Sequence, residues 1–216
     1  MRDNAPGTDN QQGSPLLLLK NGMHDPSETT RRPPTLNEIR AYFQGAIHDG
    51  TYNAHNQRIR IAQKGTDWLT VLKRALTQIN ETSWIYQEGK TRDVFVLETR
   101  ATFLDFNLDP YRLVSSKEKS AYIRGFFDAE GGIPRELLSR FYIQLVQRDR
   151  IKLKKLKVML RALGIHTGII HNPSKRVDPY YWRMFVRAQS WKSFISVIGS
   201  WHPRKHKILK KRWMKI

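Results

Sequence analysis

Two acidic residues near the end of an apolar stretch are the first candidates for chemistry. The segment AYIRGFFDAEGGIP (121–134) has the pattern of an apolar helix that ends with Asp128, Glu130 and a pair of glycines. Neighbouring carboxylates repel one another, and the negative end of the helix dipole adds to this repulsion. A divalent cation would offset that cost, and hard oxygen ligands suit magnesium or calcium. The alternative interpretation is a solvated helix end with no bound ion.

Gly125 lies in the middle of the same segment, where glycine lowers helix stability by about 1 kcal/mol relative to alanine. Its presence there therefore requires an explanation. A similar stretch, AYFQGAIHDGTYN (41–53), carries Gly45 at the matching place. Small residues allow two helix backbones to approach closely. We therefore predict that the two helices pack against each other through these glycines, which would bring their acidic C-terminal ends side by side.

The elements that would position these helix ends occur twice in the same order. Each copy is predicted to contain a helix, two strands, a second helix, two further strands and a last short helix, with an offset of about 80 residues. The matching segments after the first helix are the strands RIRIAQK (58–64) and FYIQLVQR (141–148), the helices at 67–80 and 149–165, the strand pairs at 83–100 and 167–189, and the closing helices near 101–106 and 190–199.

The charge of the chain indicates a polyanionic partner. Its 216 residues include 38 Lys and Arg against 19 acidic residues, a formal net charge of +19, which is typical of nucleic-acid-binding proteins. A basic protein with an acidic metal cluster favours metal-assisted phosphodiester hydrolysis. The longest apolar run, PLLLL (15–19), is too short to span a bilayer and no signal peptide precedes it, so we expect no membrane partner and a cytoplasmic location. The chain has no cysteine, which excludes disulfides and thiolate zinc sites.

The nonapeptide IRGFFDAEG (123–131) resembles the signature of the LAGLIDADG homing endonucleases. It has an apolar residue, a variable one, glycine, two apolar residues, Asp, Ala, an acid and Gly, and the resemblance covers roughly residues 35–216. It implies an α+β fold of two pseudo-symmetric αββαββα halves, 35–114 and 115–216. Their saddle-shaped antiparallel sheets would lie over DNA and their two motif helices would form the central interface. Residues 1–34, which are polar and rich in Pro, Gly, Asn and Thr, are predicted to form an extended or weakly ordered arm.

The activity that this resemblance implies is cleavage of double-stranded DNA at a long asymmetric site by a monomeric, intron-encoded enzyme. Its cofactor would be Mg²⁺, with Ca²⁺ or Mn²⁺ able to occupy the same site. Two alternatives on the same fold remain open: a maturase that binds intron RNA, and a cleavage-inactive DNA-binding protein. The first motif departs from the family pattern, and this departure keeps the alternatives open.

The resemblance assigns the metal to the last acid of each motif and to the carbonyl just before it. In the second half these are Glu130 and Ala129. In the first half, alignment on glycine puts Gly50 at the ligand position, whereas alignment on the Asp-Gly pair puts Asp49 there. Glycine has no side chain to offer, so we assign the site to Asp49 and the carbonyl of His48. This choice leaves the packing register of the first helix open.

A second set of polar residues is assigned by the same resemblance. Catalytic roles beside the two acids fall on Gln63, Lys64, Gln147 and Lys205. For Lys64, Arg148 and Lys205, simple phosphate contacts are an equal alternative. Strand alternation places Ile59 and Ile61 against the helices and leaves other side chains to face DNA. The residues assigned to DNA contact are Arg58, Arg60, Tyr142, Gln144, Arg148, Tyr181 and Arg183.

Overall fold

Two antiparallel sheets and six α-helices make up the part of the chain that the computed structural model describes, residues 32–136 and 139–214. In chain order the elements are α1 (Leu36–Ala46), β1 (Gly50–Asn53), β2 (Arg58–Lys64), α2 (Asp67–Gln78), β3 (Ser83–Gln87), β4 (Val94–Thr99), α3 (Ser116–Glu130), β5 (Gly131–Gly132), β6 (Gln144–Gln147), α4 (Arg150–Ala162), β7 (Trp182–Phe185), α5 (Trp191–Ser193) and α6 (Pro203–Trp213). Short 3₁₀ turns lie at Ile47–Asp49, Pro110–Arg112 and Ala188–Ser190, and a π-helix at Phe194–Ile198 extends α5.

These elements belong to one compact unit that begins at Thr35. The predicted N-terminal arm lies, except for its last three residues, outside the described part of the chain. Among the residues that are described, none of the helices has the length and apolar character needed to cross a bilayer.

The two motif helices begin in the same way. The side chain of Thr35 accepts a hydrogen bond from the Glu38 N–H, and the Glu38 carboxylate accepts one from the Thr35 N–H. Ser115 and Glu118 form the same reciprocal pair at the start of α3. This capping box satisfies two backbone donors that a helix would otherwise leave without partners, so it defines where each motif helix starts.

The helices α1 and α3 pack through their glycines, as the sequence predicts. A Cβ atom placed on Gly45 would lie 2.0 Å from the carbonyl oxygen of Tyr122, and one placed on Gly125 would lie 1.9 Å from that of Tyr42. No side chain fits at either position, so each glycine admits the backbone of the other helix. Gly45 is therefore the counterpart of Gly125, and the alignment on glycine gives the correct packing register.

Each sheet buries one face and exposes part of the other. The strand order is β1-β2-β4-β3 in the first sheet and β5-β6-β7 in the second, and all neighbouring strands are antiparallel. Ile59 and Ile61, which are predicted to face the helices, are buried, and so are Phe141, Ile143, Leu145, Met184 and Val186. The helices α2 and α4 cover these faces with leucines at helical spacing, Leu69, Leu72, Leu76, Leu153, Leu156 and Leu160.

Two predicted elements differ in the structure. The strand expected at the start of 167–189 is reduced to two isolated bridges, Thr167 with Val186 and His171 with Arg183. In the segment that follows, Asn172 forms side-chain hydrogen bonds with the Ser174 N–H and the Asp178 carbonyl, which close a loop instead.

No helix forms at 101–106, where we predicted a short one. The Asp105 carboxylate accepts the N–H of Asn107, and Gln44 accepts the N–H of Asp105. These side chains take backbone donors that a helix would need. Conversely, the basic segment near the C-terminus forms α6, which sequence reasoning missed although Pro203 at its first turn is a helix-start signal.

Candidate functional site

The C-terminal ends of α1 and α3 bring Asp49 and Glu130 together by different local geometry. Helix α3 continues to Glu130, whereas α1 stops at Ala46 and continues as a 3₁₀ turn to Asp49. A 3₁₀ turn rises about 2.0 Å per residue against about 1.5 Å in an α-helix. The rise from Gly45 to Asp49 is therefore about 7.5 Å, the same as five α-helical residues give between Gly125 and Glu130. This tighter turn makes the glycine register compatible with Asp49 as the first acid.

The two carboxylates influence each other electrostatically. Partial loss of hydration raises the pKa of Asp49 to about 6, against the opposing effects of Lys205 and Gln63. Partial burial and the nearby charge of Asp49 raise the pKa of Glu130 to about 7. Two acids that both resist ionisation in the free protein form a site that a cation would stabilise.

The donor set at this point fits a hard divalent cation. Asp49 and Glu130 offer carboxylate oxygens, and backbone carbonyls at the helix ends add neutral oxygen donors. In residues 32–136 and 139–214 no group of three or more acidic or histidine side chains could hold a metal ion. A cation here would therefore use two carboxylates, backbone carbonyls, and oxygens from water or a bound phosphate.

Gln63 forms a hydrogen bond with the first acid, whereas Gln147 forms none with the second. Gln63, at the end of β2, donates a hydrogen bond from Nε2 to Asp49 Oδ2, while the neighbouring Lys64 is exposed. The amide of Gln147 instead accepts the Arg148 N–H at 2.7 Å. The two halves therefore surround their acids differently, although the sequence places the glutamines at matching positions.

Lys205 closes the C-terminal end of α3. Its ammonium group is buried and donates to the carbonyl oxygens of Phe127, Asp128 and Gly131 at 2.6, 2.8 and 2.7 Å. These contacts use all three of its N–H groups and offset the negative end of the helix dipole. Burial lowers the pKa of Lys205 to about 8. This geometry makes Lys205 a positioning residue for the turn that carries Glu130, and the Ala129 carbonyl is not among the three it binds.

Asp128, the other acid of the motif, is an internal structural residue. It is only 2% exposed, and burial raises its pKa. Its carboxylate accepts hydrogen bonds from the Tyr42 hydroxyl at 2.8 Å, the Ser200 hydroxyl, and the N–H groups of Trp201 at 2.8 Å and His202 at 3.1 Å. These bonds tie the turn before α6 to α3, so Asp128 determines where Lys205 enters the site.

His48, in the 3₁₀ turn after α1, occupies the place relative to Gly45 that Asp128 occupies relative to Gly125. Its Nε2 lies 2.9 Å from the hydroxyl of Tyr122, just as the hydroxyl of Tyr42 bonds Asp128. Burial lowers the pKa of His48 to about 4, so the imidazole is neutral at physiological pH. Its ring packs edge-on against Phe126 at 5.0 Å. The His48 side chain is thus part of the helix interface, and only its carbonyl is a candidate ligand.

The residues assigned to DNA contact are in varied environments. Tyr142 and Arg148 lie just outside β6, because the strand predicted at 141–148 is limited to Gln144–Gln147, and Tyr181 lies just before β7. Arg58 and Arg60 are half-buried in ion pairs with acids of the same sheet. Gln144 is 9% exposed and donates to the Tyr181 hydroxyl at 3.3 Å, and Arg183 donates to His171 Nε2 at 3.2 Å. Tyr142 and Arg148 are exposed. Sequence reasoning missed the acids that bind the arginines, although alternation along β4 places Glu98 on the outer face.

Several proteins of known structure share this fold. Residues 117–199 match the family model of the LAGLIDADG-like domain. No curated protein matches the chain in sequence. The homing endonuclease I-DmoI in complex with DNA and Mn is 20% identical with a TM-score of 0.58, over 76% of this chain and 98% of that one. Mesophilic variants of I-DmoI are 18% identical with a TM-score of 0.61, over 82% and 100%. Full-length DUF199/WhiA from Thermatoga maritima is 15% identical with a TM-score of 0.60, over 85% and 63%. At these identities the likeness concerns the fold.

Proposed function

Because this chain carries a LAGLIDADG-like domain on the fold of the LAGLIDADG homing endonucleases, we propose that it is a site-specific, divalent-metal-dependent DNA endonuclease. The observation that supports this most directly is the meeting of Asp49 and Glu130 at the ends of two glycine-packed helices. The net charge of +19 supplies the attraction to a polyanion. We further propose that the enzyme acts as a monomer, serves intron homing, is cytoplasmic and uses Mg²⁺.

In the proposed hydrolysis, some residues would hold the cation and others would position those ligands. Asp49 and Glu130 would hold the cation, together with the carbonyls of His48 and Ala129. A cation held there would polarise a scissile phosphate, activate water and neutralise the leaving oxygen. Gln63 orients the carboxylate of Asp49 through its amide, and Lys205 fixes the end of α3 so that Glu130 keeps its position.

The metal complexes of the neighbours support the choice of cation. I-DmoI structures are described with Mn, Mg and Ca. All three ions accept oxygen ligands of the kind found at the α1 and α3 ends. Mg²⁺ is the form that we propose for this chain.

A second candidate is a cleavage-inactive nucleic-acid-binding protein on the same fold, including a maturase that binds intron RNA. One observation favours it: Gln147 accepts the N–H of its neighbour Arg148 and forms no hydrogen bond with Glu130, whereas Gln63 bonds Asp49. Incubation of a plasmid that carries the intron-free target with protein and Mg²⁺ separates the two candidates. The endonuclease linearises the plasmid and loses this activity when EDTA is added. Binding without cutting favours the second candidate.

Cleavage is expected to fall as pH drops from 8 to 5, because the cation needs ionised carboxylates. With pKa values of about 7 for Glu130 and about 6 for Asp49, protonation removes first one ligand charge and then the other. Protons and metal then compete for the same oxygens. We expect a rate at least about tenfold lower at pH 5 than at pH 8 at fixed Mg²⁺.

The measurement is the cleavage rate as a function of pH at several Mg²⁺ concentrations. Competition predicts that higher Mg²⁺ moves the midpoint of the profile to lower pH. A midpoint that stays fixed at all Mg²⁺ concentrations would assign the pH dependence to another group.

A further inference from the structure

The outer face of the first sheet carries a set of paired charges that the candidate catalytic centre does not use. We call it the arginine–glutamate cluster, and it consists of Arg58, Arg60, Tyr86, Glu88 and Glu98. Glu98, on the central strand β4, lies opposite Arg60 on β2. Its side chain is only 7% exposed, which is unusual for a carboxylate on the outer face of a sheet.

Glu98 is the centre of the cluster. Its Oε2 accepts a hydrogen bond from Arg58 Nη1 at 3.0 Å. Its Oε1 accepts one from the Tyr86 hydroxyl at 2.7 Å and lies 3.2 Å from Arg60 Nε. Arg60 Nη2 also donates to Glu88 at 2.8 Å and to Tyr86 at 3.2 Å. One buried carboxylate therefore fixes two guanidinium groups on the same face.

The stacking of Arg58 adds to this order. Its guanidinium lies over the ring of Trp84 at 4.7 Å from the ring centre. Burial alone would raise the pKa of Glu98, but hydrogen bonds from Tyr86 and Arg58 keep it below the ordinary value. Glu98 is therefore ionised at neutral pH. The rotamer freedom that two arginines would lose on binding a ligand is already lost in the free protein.

The arginine–glutamate cluster has no net charge, so its arginines are suited to directional contacts with bases. Two arginines and two glutamates sum to zero, so the cluster adds little to sequence-independent attraction for phosphates. Arg60 gives both N–H groups of Nη2 to Glu88 and Tyr86 and turns Nε towards Glu98, so only its Nη1 stays free; Arg58 gives one N–H of Nη1 to Glu98 and keeps donors on both Nη atoms. The two Nη atoms of Arg58 match the O6 and N7 acceptors of guanine in the major groove, and Nη1 of Arg60 can donate to one of them. Alternate residues on a strand are about 6.7 Å apart, which corresponds to two steps of about 3.4 Å along DNA.

We propose that the first sheet reads guanine at two positions about two base pairs apart, through Arg58 and Arg60, with Glu98 as the positioning residue that holds both. This inference rests on the proposed function only as far as DNA is the partner. Specificity in this part of the site then comes from the fixed arginines, and affinity comes from the other basic residues of the chain.

The test is selection from a duplex DNA library with randomised positions, without divalent metal, followed by sequencing of the bound fraction. The wild-type protein is expected to enrich guanine at two positions separated by two steps. Glu98→Gln is expected to reduce the enrichment roughly tenfold at the position that Arg58 reads, since a good bidentate contact discriminates by about that much, and by less at the position that Arg60 reads, because Glu88 still holds Arg60. The same variant is expected to bind unselected duplexes several-fold more tightly, because it removes a negative charge and frees Arg58 to reach phosphates.

Two further variants sharpen the result. Glu88→Gln, whose side chain is 41% exposed, touches only Arg60 and is expected to relax only one of the two positions. Glu81→Gln is the matched control, because it removes a negative charge beside Arg58 that neither arginine binds; it is expected to leave both positions unchanged. The thermal midpoint of each variant reports its folding.

Unchanged guanine enrichment in both Glu98→Gln and Glu88→Gln would overturn the proposal, as would enrichment of another base by the wild-type protein. A wild-type protein that selects no sequence would overturn both this proposal and the site-specific function. Guanine selection without plasmid cleavage would support the present inference and refute only the endonuclease activity.

Discussion

Glu130→Gln is expected to abolish DNA cleavage, with a loss of at least about 10³-fold in rate, while DNA affinity changes only a few-fold. Glutamine keeps the shape of the side chain but removes the charge that the cation needs. A metal ion at a phosphate contributes several kcal/mol to transition-state stabilisation, and about 4 kcal/mol corresponds to 10³-fold in rate. Affinity depends on the many basic residues of a chain with a net charge of +19, so it is expected to persist.

The stability of this variant separates loss of chemistry from loss of fold. The folded pKa of Glu130, about 7, lies above the unfolded value near 4.5. The stability linked to its neutral form is therefore fully present below about pH 4.5 and is lost as the pH rises from there through about 7. Removing the charge is expected to leave the thermal midpoint at pH 8 unchanged or higher. Glu136→Gln, an exposed acid in the same half, serves as the control and is expected to cleave normally.

Persistent cleavage by Glu130→Gln would refute the assignment of the metal site. A lowered thermal midpoint would instead attribute the loss of cleavage to unfolding. The comparison therefore has to be made with gel-shift affinity, cleavage rate and thermal unfolding on the same preparations.

Much of this architecture could be predicted because it follows from residue types at short range. The helix starts follow from Ser/Thr and Glu at capping positions, and the buried strand faces follow from alternation. The pairing of the motif helices follows from Gly45 and Gly125, since only a close backbone approach explains glycine at both positions.

The details of the site could not be predicted because they depend on contacts between distant parts of the chain. The 3₁₀ turn at Ile47–Asp49 places Asp49 by a local change of helix pitch, and its sequence IHD contains no signal that predicts this change. Asp128 has the appearance of a ligand in the motif, yet its partners at 200–202 lie more than 70 positions away. The same is true of Lys205, whose three carbonyl partners define its role.

Gly125→Ala is expected to destabilise the protein by about 3 kcal/mol, or roughly 10 °C in the thermal midpoint, although alanine favours helix by about 1 kcal/mol. The added Cβ would lie 1.9 Å from the carbonyl oxygen of Tyr42 and 2.9 Å from the amide nitrogen of Ala46, and neither backbone atom can rotate away as a side chain could. The helices α1 and α3 would have to separate by about 1 Å or more. Overpacking typically costs about 1–3 kcal/mol, and a clash with fixed backbone atoms lies at the upper end of this range. Gly45→Ala is expected to have the same effect, because its Cβ would meet Tyr122 in the same way.

The matched control is Gly168→Ala, where the nearest atom to an added Cβ is a carbonyl oxygen at an ordinary 3.7 Å. We expect its thermal midpoint to stay within about 2 °C of wild type. A Gly125→Ala protein as stable as wild type would show that the helices do not touch at the glycines. Since the spacing of these helices also sets the distance between Asp49 and Glu130, any folded fraction of the variant should lose cleavage more than it loses DNA binding. That difference would tie the opening between the two helices directly to the geometry of the acids at their ends.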